Sequence, residues 1–262
     1  MSSGKLSLHH VSVNLGKTKV LQDISFSIEQ GRTLTVVGPS GCGKSTLLNV
    51  LGGIFKNYQG EILMGETQLR NAELTYGYVP QNLGLLAWKR VKDNILLPFK
   101  INKDQKIDQD EVSDVLTKLE LTHLLDRYPS QLSGGQRQRV ALARVFISHP
   151  DILLMDEPFS ALDSLTADTS RELFLDLWRK YQPTTIFTTH NLSEAVKLGE
   201  NILLLDKQPA TVLRFVNNPL FESQDQQSEA AFAEFKKQLM GWIREGDNRD
   251  NGINTTLNTR VR

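Results

Sequence analysis

The chain has 262 residues, enough for one large α/β domain or two small ones with an ample core. Thirty Lys and Arg balance thirty Asp and Glu, so the formal net charge is zero and the basic footprint of a nucleic-acid binder is missing. Cys42 is the single cysteine, which excludes an intrachain disulfide and a cysteine-based metal site and suits a reducing cytosol. Residues Met1 to Lys5 lack the apolar core of a signal peptide, and no apolar run approaches the roughly 20 residues of a membrane helix. A soluble chain is expected, one that can still sit on a membrane protein.

Leu6 to Ile28 alternate between apolar and polar residues on either side of Asn14 to Lys17, which predicts antiparallel strands. The apolar run Leu34 to Val37 then feeds Gly38-Pro39-Ser40-Gly41-Cys42-Gly43-Lys44-Ser45-Thr46, a complete G-x-x-x-x-G-K-[ST] pattern followed by a helix, Thr46 to Leu51. The glycines let backbone N–H groups turn against phosphate oxygens, Lys44 can reach the outer phosphates, and Ser45 offers a hydroxyl to Mg²⁺. A bound nucleoside triphosphate is the expectation.

Further strands are predicted near Gly60 to Leu63 and Tyr76 to Val79, the latter ending at Pro80 and Gln81, whose amide can contact Mg²⁺ or water. From Leu83 to Tyr128 the chain is helix-prone, with Val112, Val115, Leu116, Leu119 and Leu121 spaced for one buried helical stripe. Ser133 and Gln136 form a capping box at the start of another helix. Gly134 and Gly135 in its first turn cost on the order of 1 kcal/mol each relative to alanine, which implies a close approach to this backbone and a second anion site. One nucleotide occupies both glycine-rich sites only if the fold brings them together or a second copy supplies one.

The strand Asp151 to Met155 ends at Asp156-Glu157 before Pro158, on the rim where α/β sheets gather ligands. There Asp156 can hold the hydration shell of Mg²⁺ and Glu157 can polarise a water in line with the γ-phosphate. A helix near Leu165 to Tyr181 and a strand Thr184 to Thr189 follow, and His190 at the strand's end can hydrogen-bond a γ-phosphate. Asn191 with Glu194 reads as an N-cap and its return partner, and Asn201 to Leu205 as a last strand. His9, His10, His123 and His149 form no constellation in the sequence. Beyond Phe221 the chain is polar apart from Phe232, Phe235, Leu239 and Trp242, which predicts a docked helix and a frayed end from about Gly246.

Together these residues resemble the ATP-binding cassette ATPases from about Leu6 to Leu205. The phosphate loop, Gln81, Leu132-Ser133-Gly134-Gly135-Gln136, Asp156-Glu157, a Ser160-Ala161-Leu162-Asp163 loop and His190 occur in that family's order. The resemblance implies a P-loop NTPase core with a mainly parallel sheet, an antiparallel β subdomain and a helical insertion at about 83–150. It assigns residues 1–220 to the ATPase domain and 221–262 to a C-terminal helix and tail. It implies ATP and Mg²⁺ as cofactors, with Glu157, His190 and Lys44 catalytic and Ser45, Gln81 and Asp156 at the metal. It also implies two copies, or a copy and a homologous ATPase, stacked so that Ser133 and Gly135 of one chain cap the ATP on the phosphate loop of the other.

Leu85 to Trp88 and Ala161 to Thr166 look most like the nitrate, sulfonate and taurine importer group, although Ala87 stands where that group usually has proline. For that group the partners are permease subunits and a substrate-binding protein, at the cytoplasmic face of the inner membrane. Leu15 stands where relatives carry an aromatic on adenine. The rival readings are an exporter or lipid-handling ATPase, a soluble cassette protein, and a kinase. Kinases carry no Ser-Gly-Gly signature, and the short single cassette argues against translation and repair members.

Overall fold

A computed structural model describes residues 4–102, 107–223 and 228–257, with side chains as far as residue 246. The chain divides into two compact units, Met1–Ala72 with Thr188–Arg262 and Glu73–Phe187.

The first unit opens on β1 (Lys5–Leu15) and β2 (Thr18–Glu29), paired antiparallel from Lys5 opposite Glu29 to Leu15 opposite Thr18. Their alternation buries Leu6, Leu8, Val11 and Val13 of β1 and leaves the residues between half-buried or exposed, the signature of a half-covered sheet. β3 (Thr33–Val37) is buried at every residue, so its apolar run carries no alternation. It leads through the loop at 38–43 into α1 (Lys44–Leu51). β4 (Gln59–Met64) then adds to the free edge of β1 and pairs with the two-residue β5 (Thr67–Gln68), a strand too short for any periodicity to announce.

The second unit begins with β6 (Tyr76–Val79), which runs parallel to β7 (Ile152–Asp156). Between them lie α2 (Val91–Ile95), α3 (Leu97–Ile101), α4 (Gln109–Lys118) and α5 (Gly134–Phe146). Asp108 caps α4, accepting from the N–H groups of Asp110 and Glu111. The predicted stripe is buried in full, but it does not belong to one helix. α4 ends at Lys118, Glu120 turns left-handed (φ 55°), and Leu119 and Leu121 reach the core from the turn beyond. Asp163 caps α6 (Ser164–Tyr181), whose Phe174 packs on Phe146 of α5, and β8 (Thr184–Thr189) lies beside β7.

Back in the first unit, α7 (Leu192–Leu198) precedes β9 (Asn201–Leu205), which is parallel to β3 with Leu34 opposite Asn201 and Val37 opposite Leu204. β10 (Val212–Asn217) pairs antiparallel with β9, a hairpin that the sequence pattern did not reveal because Arg214 and Phe215 are exposed. α8 (Glu229–Leu257) docks on this layer: Phe235 and Leu239 are buried with Val196, Ile202 and Leu204. The expected frayed end differs, since the helical backbone continues through Gly246 to Leu257. Gly246 lies against Leu213, and the Arg214 guanidinium sits 5.0 Å over the Trp242 ring, so packing carries the helix past its glycines.

Candidate functional site

In the first unit, residues 38–43 form the expected loop between β3 and α1. Gly41 (φ 75°) and Gly43 (φ 126°) adopt backbone angles that L side chains rarely take. Gly43 has a second reason to be glycine: a Cβ there would stand 2.8 Å from Leu21 Cδ2 and 3.1 Å from Val20 Cγ1, because β2 passes against the loop. No side chain caps α1, so the N–H groups of its first turn, at Ser45 and Thr46, keep their capacity for an anion. Lys44 is buried, and its ammonium donates to the carbonyls of Gly38 and Pro39 at 3.0 Å each, drawing the positive charge into the loop. Ser40 and Ser45 are exposed. Burial pushes the Cys42 thiol above its usual range, with Lys44 opposing, so Cys42 serves as an uncharged filler between the loop and Gly38.

His190 also belongs to this unit and is exposed just beyond β8. The turn around it is tied at Thr189, whose buried hydroxyl accepts the Asn191 N–H at 3.0 Å and donates to the Glu194 carboxylate. Asn191 caps α7 as expected, accepting from Ser193 and Glu194. The Thr189 hydroxyl stands between the two partners of the expected reciprocal cap, accepting the Asn191 N–H and donating to the Glu194 carboxylate.

In the second unit, Asp156 ends β7 and is buried, and it lines with Pro80, Gln81 and Asn82 a cleft of about 390 Å³. Burial, and then the Asp156 charge, push the Tyr78 phenol above its ordinary range. Glu157 follows at φ 45°, a left-handed conformation in a residue that precedes proline, where extended backbone is the rule. Ser160 locks it there, its N–H and hydroxyl both donating to the Glu157 carbonyl at 3.2 and 2.9 Å. Backbone held against its preference in this way is characteristic of functional turns.

Ser133 caps α5 as predicted: its hydroxyl accepts the Gln136 N–H at 3.2 Å, and the Gln136 side chain accepts the Ser133 N–H at 3.0 Å. The close approach inferred at the glycines has an intrachain component. A Cβ on Gly135 would stand 2.5 Å from Thr166 Cγ2, and one on Gly134 3.3 Å from Leu162 Cδ2. Thus the second unit holds Gln81, Ser133 to Gln136, Asp156 and Glu157, and the first holds residues 38–46 and His190.

The ABC transporter family profile matches residues 21–160, more than half of the chain. The chain belongs to that family. It is 34% identical over 88% of its length to an aliphatic sulfonates import ATP-binding protein of Bacillus cereus, covering 91% of that protein. It is 39% identical over 79% of its length to the taurine import ATP-binding protein of Escherichia coli O157:H7, covering 82% of it. A solved dimeric post-hydrolysis ATP-binding cassette bound to ADP and Pi superposes with a TM-score of 0.66 at 29% identity, over 80% of this chain and 99% of that one.

The cassette contains two braces that sequence motifs did not disclose, both on the segment after Gln81. Arg144 of α5 is 8% exposed and donates at 2.7 Å to the carbonyls of both Leu83 and Gly84. Asn94 of α2 is fully buried; it accepts the Leu86 N–H at 2.7 Å and donates toward the carbonyls of Leu86, Lys89 and Arg90 at 3.1 Å each. A buried polar side chain that satisfies several backbone groups of a loop is the only sequence signal either could have given, and neither lies in a recognisable motif. Between the braces, Trp88 is 73% exposed. Leu15, at the end of β1, is likewise exposed.

Proposed function

We propose that this cassette is the ATP-binding and ATP-hydrolysing subunit of a membrane importer, working as a pair with a second copy of itself or a homologous ATPase. The observation that carries the importer reading is that import ATP-binding proteins match this chain along most of both lengths. The substrate class follows the same likeness: a small sulfonate such as taurine. On the same likeness the transport path belongs to permease subunits, with the cassette peripheral to them at the cytoplasmic face of the inner membrane; among the described residues no helix is long and apolar enough to cross a membrane. A substrate-binding protein completes the complex.

The phosphates of ATP rest on the backbone N–H groups that follow Pro39 in the loop and in the first turn of α1, with Lys44 turning from the loop carbonyls to the outer phosphates. Asp156 and Gln81 share a cleft of the second unit and present hard oxygen donors, and Ser45 of the first unit carries an exposed hydroxyl at the start of α1. Ser45, Gln81 and Asp156 would hold Mg²⁺, which when bound neutralises charge on the phosphates. Glu157 accepts a proton from the attacking water, and His190 hydrogen-bonds the γ-phosphate. Ser133, Gly134, Gly135 and Gln136 cap the ATP of the paired chain. Leu15 offers no π-face, so ATP and GTP are poorly distinguished.

The test is to isolate the tagged chain from membranes of its own cells and identify its partners. Recovery of permease subunits, with ATPase activity raised by the sulfonate-loaded binding protein in vesicles, supports the reading. A chain that remains without membrane partners, or whose permease moves substrate outward, would overturn it.

A further inference from the structure

We infer that Arg144 is the positioning residue for Gln81, tying the turn that carries Gln81 to the helix that Ser133 opens. The inference rests on the readings of Gln81 and Ser133 given under Proposed function. A buried guanidinium ordinarily takes a carboxylate, since an uncompensated charge in the interior is costly. At Arg144 the two donors go instead to the carbonyls of Leu83 and Gly84, both at 2.7 Å. The planar fork of arginine presents a separate N–H to each of two adjacent acceptors in a fixed geometry, which the single rotating ammonium of a lysine does not reproduce.

The turn needs such a restraint. Leu83 (φ 64°) and Gly84 (φ 57°) are left-handed in succession, and a bulky leucine seldom adopts that conformation. The Leu83 N–H donates to the Pro80 carbonyl at 2.7 Å, which closes the turn around Gln81 and Asn82. Arg144 holds the carbonyls on the far side of the same residues, so Gln81 is carried on a turn pinned from both ends. α5 runs without interruption from Gly134 to Phe146, with the Ser133 cap at one end and Arg144 on its last turn. The Gln81 turn and the Ser133 cap therefore move as one body. In a pair whose Gln81 faces its own ATP and whose Ser133 faces the partner's, that body links the two nucleotides.

The experiment compares wild type, Arg144→Met, Arg144→Lys, Gln81→Ala and the Gln81→Ala/Arg144→Met double variant in the intact chain. Hydrogen exchange should rise at least tenfold for amides 81–86 in Arg144→Met while α5 keeps its protection. The Mg²⁺ concentration for half-maximal ATPase should rise and kcat should fall about tenfold, with binding of metal-free ATP unchanged. Arg144→Lys should fall between, and it carries the same comparison if Arg144→Met does not fold. The double variant should match Gln81→Ala within about twofold, since Arg144 acts through Gln81. Unchanged exchange at 81–86, or losses that multiply in the double variant, would overturn the inference. Loosened exchange beside a fully active Gln81→Ala would instead overturn the reading of Gln81 and leave the clamp standing.

Discussion

Thr166 Cγ2 lies 2.5 Å from the position a Cβ would take on Gly135, so the second glycine of the signature is required by α6 of its own chain before any ligand is considered. Gly135→Ala forces α5 and α6 apart, and overpacking of this kind typically costs about 1–3 kcal/mol. Thr166→Ser removes the methyl and keeps the hydroxyl, so the Gly135→Ala/Thr166→Ser double variant should regain most of the melting temperature lost by Gly135→Ala. Thermal melts of the full cycle check this. A double variant that is stable but no longer pairs in ATP would show that Gly135 also meets the partner's nucleotide.

Glu157→Gln keeps the size and hydrogen bonding of the side chain and the Ser160 contacts to its carbonyl, while removing the proton acceptor. General-base catalysis contributes about 10²–10⁴-fold, so turnover should fall by at least 10²-fold with ATP affinity retained. Unhydrolysed ATP should then hold two chains together, visible as a doubled mass by light scattering, and Lys44→Ala should abolish both binding and pairing. Near-normal hydrolysis by Glu157→Gln would refute the assignment of the base.

Trp88 is exposed on a segment that Asn94 holds rigid, the arrangement of an aromatic anchor awaiting a partner. Trp88→Ala should leave the melting temperature and ATP binding unchanged and reduce recovery of the permease at least tenfold in pull-downs. Asn94→Ala should lower both stability and recovery, because it removes the side-chain partner of the Leu86 N–H and of the Lys89 carbonyl. Full recovery of the complex with Trp88→Ala would move the docking surface elsewhere.

Tyr181 packs its ring against Phe146 and His149, and burial, with help from the Glu111 carboxylate, pushes its hydroxyl up to about 12. An unfolded tyrosine ionises near 10, so below that pH both states keep the proton and the contact contributes in full. As pH rises from about 10 toward 12 the unfolded chain loses the proton first, and stability falls. Lys180, whose pKa is raised by its hydrogen bond to Asp114, loses its contribution on the same alkaline side. Denaturant melts across pH 9 to 12 should show a shallower decline for Tyr181→Phe than for wild type. An identical slope would remove Tyr181 from the alkaline transition.

Signals that act within a few residues were legible in the chain itself. The glycines of the phosphate loop, the Ser133–Gln136 box, the alternation of β1 and β2 and the apolar run of β7 each follow from backbone sterics, capping or one-sided burial. The chain thereby determined the order of its principal strands and helices, the ends of the strands that bear Asp156 and His190, and its family. Tertiary packing decided the rest. Only the fold set Arg144 on Leu83 and Gly84, Thr166 against Gly135, and the Thr189 hydroxyl on the Glu194 carboxylate. It also carried α8 through Gly246 by seating it on β9 and β10, where local propensity had pointed to an end. Such contacts depend on which faces meet across tens of residues of chain, and a preference worth less than 1 kcal/mol per residue gives way to the burial of a single large side chain, worth about 2 kcal/mol.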